Sequence, residues 1–138
     1  MNAKELMIGD WVHVDGKPQK VIEILHHGIN PTYYSMSDEI EGYTHEEQIE
    51  PIPITKEILE KSGFVDDLYS ENRFILKGKD EEQVFYWFEE YGRHNSCNVF
   101  GANIENSHGH YFSGRNIRYV HELQHALRMC NIEKEIVL

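Results

Sequence analysis

The chain has 138 residues, 40% of them hydrophobic and 12% aromatic, a composition that excludes a disordered chain and suits one domain or two small subdomains. Thirteen Lys and Arg against 24 Asp and Glu give a net charge of −11, which disfavours a generic grip on phosphate backbones, so no direct nucleic-acid binding is expected. No apolar run reaches the roughly 18 residues of a membrane helix. The opening MNAKELMIGDW lacks a signal-peptide core, and Cys97 and Cys130 do not make a disulfide framework. A cytoplasmic protein is expected.

Two β-rich runs, 11–14 and 19–25, flank Asp15-Gly16, a pair suited to the positive φ angles of a tight hairpin. Alternation puts Val12 and Val14 on one face and Trp11 and His13 on the other, with Pro18 at a strand start where its missing N–H costs little. His26-His27-Gly28 reads as a polar loop, and 32–36 as a third strand. Residues 38–50 are acidic but lack the ligand order of a calcium loop, and read as a solvated edge. A strand near Gln48 and Ile49 would complete a small barrel or curled sheet.

Pro51-Ile52-Pro53-Ile54 is the best internal boundary. A short helix over 55–62 follows, with Thr55 as N-cap, Ile54 stapled onto Leu59, Gly63 as the left-handed exit and Phe64 reaching back to Leu59. Beyond it, 74–77, 83–91, 99–103 and 110–112 read as strands of an antiparallel meander. In QVFYWFEEY, five apolar residues in a row predict a central strand covered on both faces; a helix is the competing reading.

The end of the chain predicts the one long helix, over 117–130. Val120, Leu123, Leu127 and Cys130 share one helical face with Ala126 beside them; Asn116 is the expected N-cap and Asn131 the left-handed residue after the helix, with Ile132 folding back. Residues 133–138 read as a terminal strand.

This helix carries His121-Glu122-Leu123-Gln124-His125, a match to H-E-x-x-H, in which two histidines one turn apart bind zinc and the glutamate activates water. A zinc-dependent hydrolase is therefore one alternative, with Glu122 as base, His121 and His125 as ligands and His108 or His110 as a third donor; Cys97 is a further possible donor. Against it, at about 100° per residue both helix histidines fall almost opposite the apolar stripe, where they are expected to face solvent. Arg128 shares their face, and the longer signature needs a glycine at Arg128 and a histidine at Asn131. A Cys97 nucleophile with His94 as base is weaker, since residues three apart on a turn seldom activate a thiol. The expected reading has no catalytic, cofactor or metal residue.

LMIGDWV with the following GKPQKVIEI, the connector EPIPITKEILEKSGF and the closing YVHELQHALRMCNIEKEIVL resemble a family of small prophage and mobile-element proteins of gut bacteria with no assigned activity. The resemblance covers both ends and the connector. Relatives are similar to a YVHQLQN pattern at the closing segment, with Gln at position 122 and Asn at 125, which implies that the H-E-x-x-H match is a coincidence.

The expected fold is α+β: an SH3-like, barrel-like sheet over 1–52, then an α+β subdomain over 53–138 whose antiparallel sheet is packed by one short and one long helix. The expected function is a non-enzymatic, protein-binding accessory protein of a prophage or mobile element, with an unknown protein partner. The second alternative beside the zinc hydrolase is an acidic nucleic-acid mimic that blocks a DNA-binding protein.

Overall fold

The structure is a computed structural model that describes residues 6–25, 33–36, 42–68, 71–79, 81–88, 95–101 and 110–138. It is mixed α+β, with two five-stranded antiparallel sheets and two helices among the described residues. The chain forms two compact units, one of 1–53 with Tyr119–His121 and one of 54–118 with 122–138.

In the first unit, β1 (Trp11–Val14) and β2 (Lys17–Leu25) meet across Asp15 and Gly16, at φ 51° and 76°. Positive φ at both central residues gives the tight turn whose twist matches a hairpin, and Val14 pairs with Lys17. Then come β3 (Tyr33–Met36), β4 (Thr44–His45) and β5 (Ile49–Glu50), in the sheet order β4-β3-β2-β1-β5. β4 and β5 stand at opposite edges, yet only the 3-10 turn Glu46–Gln48 joins them. A flat five-stranded sheet would hold its edges about 19 Å apart, and a single 3-10 turn spans about 6 Å. The sheet is therefore strongly curled. His45 braces the turn: its Nδ1 accepts from the Glu47 N–H at 3.2 Å while Gln48 Oε1 accepts from the His45 N–H at 3.1 Å. Inside lie Leu6, Val12, Val14, Val21, Tyr34, Met36 and Ile49, with Ile24 at the margin.

The second unit opens with α1 (Lys56–Lys61). The Thr55 hydroxyl accepts from the Ile58 N–H at 3.2 Å, and Gly63 leaves the helix at φ 96° while the Phe64 N–H reaches back to the Leu59 carbonyl at 2.9 Å. The cap at Thr55 and the exit at Gly63 and Phe64 are those the sequence signals, around a helix shorter than the 55–62 expected. The meander β6 (Val65–Asp66), β7 (Arg73–Lys77), β8 (Gln83–Trp87), β9 (Ser96–Phe100) and β10 (His110–Arg115) pairs neighbour with neighbour. Within the run 83–91 the strand is Gln83–Trp87, 89–91 lying outside the described residues, and its faces differ: Val84 and Tyr86 are fully buried, while Phe85 and Trp87 are only half-buried. Phe74, Leu76, Cys97 and Val99 complete the buried face, each opposite Val84 or Tyr86 in register.

The long helix is α2 (Val120–Met129), shorter than the 117–130 expected. Asn116 is not its N-cap. It sits at φ 62°, outside the extended conformation a cap needs, and 117–119 run extended because other partners claim their backbone. The Ile117 N–H donates to the Asn95 carbonyl at 2.9 Å, the Ile54 N–H to the Arg118 carbonyl at 2.9 Å, and Tyr119 bridges to Pro53. The helix end follows the sequence: Asn131 is left-handed at φ 55°, and the Ile132 and Asn131 N–H groups bond the Leu127 and Arg128 carbonyls at 2.9 and 3.0 Å. Residues 133–138 form no strand. The buried Ser62 hydroxyl donates to the Ile58 carbonyl at 2.7 Å and accepts from the Val137 N–H at 2.9 Å, which pins the tail with Ile136 buried. A side chain, not a ladder, holds this segment. Among the described residues no helix is long and apolar enough to cross a membrane.

Candidate functional site

The H-E-x-x-H residues do not share one environment. His121 is only 3% exposed and Gln124 8%, against the expectation of a solvated face. Counted at about 100° per residue, the buried positions of α2 (Val120, His121, Leu123, Gln124, Ala126, Leu127) span roughly 220° of its circumference rather than a stripe. Tyr119–His121 belong to the first unit, where the Val120 N–H donates to the Ile52 carbonyl at 2.8 Å and the His121 ring stacks on Tyr119 with centroids 6.0 Å apart and planes at 8°. Glu122 Oε1 accepts from the Arg118 N–H at 3.1 Å, tying the first turn of the helix to the chain just before it. His125 and Arg128 are half-buried.

Of the other expected donors, His94 and His108 lie outside the described residues, as do His26, His27 and most of the polar stretch 93–110; His110 opens β10 with its Cα opposite Phe100, and its side chain lies outside the described set. Cys97 points into the core at 0% exposure; burial chiefly, with the Cys130 thiol adding, pushes its pKa up to about 12. A thiol so protonated at neutral pH is neither a nucleophile nor a ready metal ligand. Among the described residues no group of three or more His, Cys, Asp or Glu is arranged to hold a metal ion.

The site that does assemble lies on the other face of the second sheet. Register places Arg73 opposite Trp87, Ile75 opposite Phe85 and Gln83 opposite Phe100. Phe85 and Trp87 stack at 5.8 Å with planes at 25°, and Phe100, 38% exposed, meets Phe85 edge-on at 5.5 Å. The Arg73 guanidinium lies 5.2 Å from the Phe85 centroid and 5.3 Å from that of Trp87, a cation over two ring faces. Its Nε and Nη2 donate to Asp67 Oδ2, and the Asp67 side chain is only 4% exposed. A buried carboxylate thus fixes the arginine, and the arginine fixes the rings. Together they border an open cleft of about 420 Å³. A second cleft, about 410 Å³, is bordered by Lys56, Asp66, Asp67, Leu68, Glu71 and Asn72; Leu68 is 94% exposed. A separate groove of about 540 Å³ runs between the β7–β8 turn and Asn131 to Lys134, where lysines and glutamates alternate.

Sequence reasoning singled out the right strand here but assigned it two covered faces. The signal for an open face was Arg73 and Gln83 flanking the aromatic run, and it becomes legible only once the β7–β8 register is known. In the first unit, Lys20 lies 5.0 Å over the Trp11 ring, a smaller version of the same pairing. No family model matches the chain, and neither a curated protein nor a solved structure does.

Proposed function

We propose that this is a non-enzymatic binding protein that holds a protein partner on the open aromatic face of β7, β8 and β9. The observation that carries the reading is the Phe85, Trp87 and Phe100 cluster, ordered by an arginine already locked to a buried carboxylate. Tryptophan and arginine in a rigid cluster are the residue types that dominate binding energy at protein interfaces, and a partly exposed apolar face rimmed by polar groups marks such a surface. An open, shallow cleft suits a partner surface better than an enclosed substrate. We assign the chain to the cytoplasm of a host cell, as an accessory protein of a prophage or mobile element, on the strength of the quoted sequence resemblance.

The curl of the first sheet supports an SH3-like arrangement of β1 to β5, in which the 3-10 turn brings the two edge strands together. Zinc hydrolysis draws less support, because His121 is stacked and buried and Glu122 holds a helix start. An acidic nucleic-acid mimic also draws less, because exposed lysines interrupt the carboxylates, as at Glu57 with Lys61 and Glu133 with Lys79.

The test is capture from host lysate on immobilised chain, wild type beside the Phe85→Ala/Trp87→Ala double variant. A partner retained by the wild type and lost by the folded variant is the expected result. Equal retention by both removes this face from the function.

A further inference from the structure

We infer that His45 makes the turn between β4 and β5 a proton-operated clasp: the neutral imidazole caps the turn, and mild acid releases the cap. The inference is independent of the aromatic face and turns on one nitrogen atom.

His45 Nδ1 accepts from the Glu47 N–H at 3.2 Å. An accepting Nδ1 presents a lone pair, so the ring proton sits on Nε2 and the imidazole is neutral. Protonation turns Nδ1 into a donor, which can no longer hold an N–H. A second partner stands ready, since Glu47 Oε2 lies 3.9 Å from the same nitrogen. One proton therefore exchanges a backbone bond for a side-chain ion pair and leaves the Glu47 N–H to solvent. The usual caps, Ser, Thr, Asn and Asp, keep an accepting oxygen from about pH 5 to about pH 8, whereas a histidine loses its acceptor within that range.

The surroundings hold the ring in place without taking over its role. Tyr33, its register partner on β3, meets it edge-on with centroids 5.4 Å apart. The turn itself carries Glu46 and Glu47, and on β5 Glu50 is set opposite His13 of β1. The His45 side chain is 25% exposed, so a proton reaches it without unfolding.

The cap matters because the strands on either side of it are short. β4 and β5 have 2 residues each, β4 paired at Tyr33–His45 and Tyr34–Thr44 and β5 at His13–Glu50 and Val14–Ile49. Thr44 before the turn and Ile49 after it are buried, and Gln48 Oε1 accepts from the His45 N–H whatever the charge on the ring. Acid thus loosens the turn between two anchored ends and leaves the rest of the sheet folded.

The experiment is nuclear magnetic resonance on the full, nitrogen-labelled chain at about pH 8 and about pH 5. Long-range imidazole spectra, with His45 assigned by the signal missing from His45→Asn, should show the Nε2–H tautomer at the higher pH. After correction for its intrinsic rate, the Glu47 amide should exchange with water at least about threefold faster at the lower pH, with a midpoint that follows the His45 ring. In His45→Asn, whose side-chain oxygen accepts at both pH values, this amide should stay protected throughout, and in His45→Ala it should exchange fast at both. The amides of β1 and β2 should keep their protection in every case.

An Nδ1–H tautomer at the higher pH, a corrected Glu47 exchange rate that is the same at both, a pH response that survives in His45→Asn, or protection that survives in His45→Ala each overturns the inference. So does acid exposure of the β1 and β2 amides along with that of Glu47, since the unit and not the turn would then be opening.

Discussion

The two faces of the second sheet are built from the same strands and behave as opposites. On one, Phe74, Leu76, Val84, Tyr86, Cys97 and Val99 are at most 4% exposed, and the Tyr86 hydroxyl donates to the Ile117 carbonyl. On the other, residues of similar size stay half-buried, with Arg73 lying over the Phe85 and Trp87 rings. Hydrophobicity alone does not separate the two, since β8 offers Val84 and Tyr86 to one side and Phe85 and Trp87 to the other. The difference is made by what the rest of the unit supplies: Leu59, Phe64, Leu123 and Leu127 join the buried set, while the open face receives a charged side chain neutralised from beneath.

The sharpest way to break this contrast is to remove mass from the buried side. Leu123→Ala should cost roughly 2–5 kcal/mol in urea unfolding, the range for a buried leucine whose cavity does not collapse; a loss below about 1 kcal/mol would move Leu123 out of the core. Next comes pH. The Cys97 thiol ionises near 9.0 without burial and near 12 when folded. Between those values the unfolded chain sheds its proton first, so stability present below pH 9 is lost as pH rises towards 12. Tyr34 moves the same way, up to about 12 through burial first and Glu46 second, so the wild-type melting temperature should fall steeply with pH and Cys97→Ala should flatten the fall. Parallel slopes would place Cys97 in contact with solvent.

Gly63→Ala should cost about 1–2 kcal/mol, the penalty of a side chain in left-handed backbone. The Cβ meets chiefly the flexible end of Lys134, at 3.0 Å, so strain and not crowding sets the loss. The smallest effect is expected on the open side. Trp87→Ala should destabilise by about 1 kcal/mol or less, the scale of one lost aromatic pair, while removing partner capture. A larger loss would mean that Trp87 is a core residue after all.

Legibility follows the same division. Asp15-Gly16, Thr55, Gly63 and Asn131 are readable in the sequence because each turn or cap is decided within a few residues, and all four take the backbone their chemistry favours. Asn116 misleads because its capping chemistry is overruled by distant partners: Asn95 and Pro53 claim the backbone of Ile117 and Tyr119. The tail misleads for a related reason, since nothing local announces that Ser62 will bind Val137. The candidate site was half visible. Its aromatic run stands out in the sequence, but the Arg73–Asp67 lock depends on the β6–β7 pairing that brings them together. His121 misleads most, because spacing puts it on the polar side of the helix while its ring is buried and stacked on Tyr119.

The curled first sheet also has a consequence in time. Val14 pairs with Lys17 on one side, a contact between near neighbours, and with Ile49 on the other, across a long stretch of chain. The same unit takes its last piece, Tyr119–His121, from beyond the whole of the second meander, whose strands pair only with their neighbours. Loop closure makes distant contacts late, so pulse-labelled hydrogen exchange should find the amides of β8 and β9 protected before those that join β1 to β5. A chain emerging from the ribosome would then have every strand of its first sheet while the unit around that sheet still lacks Tyr119–His121.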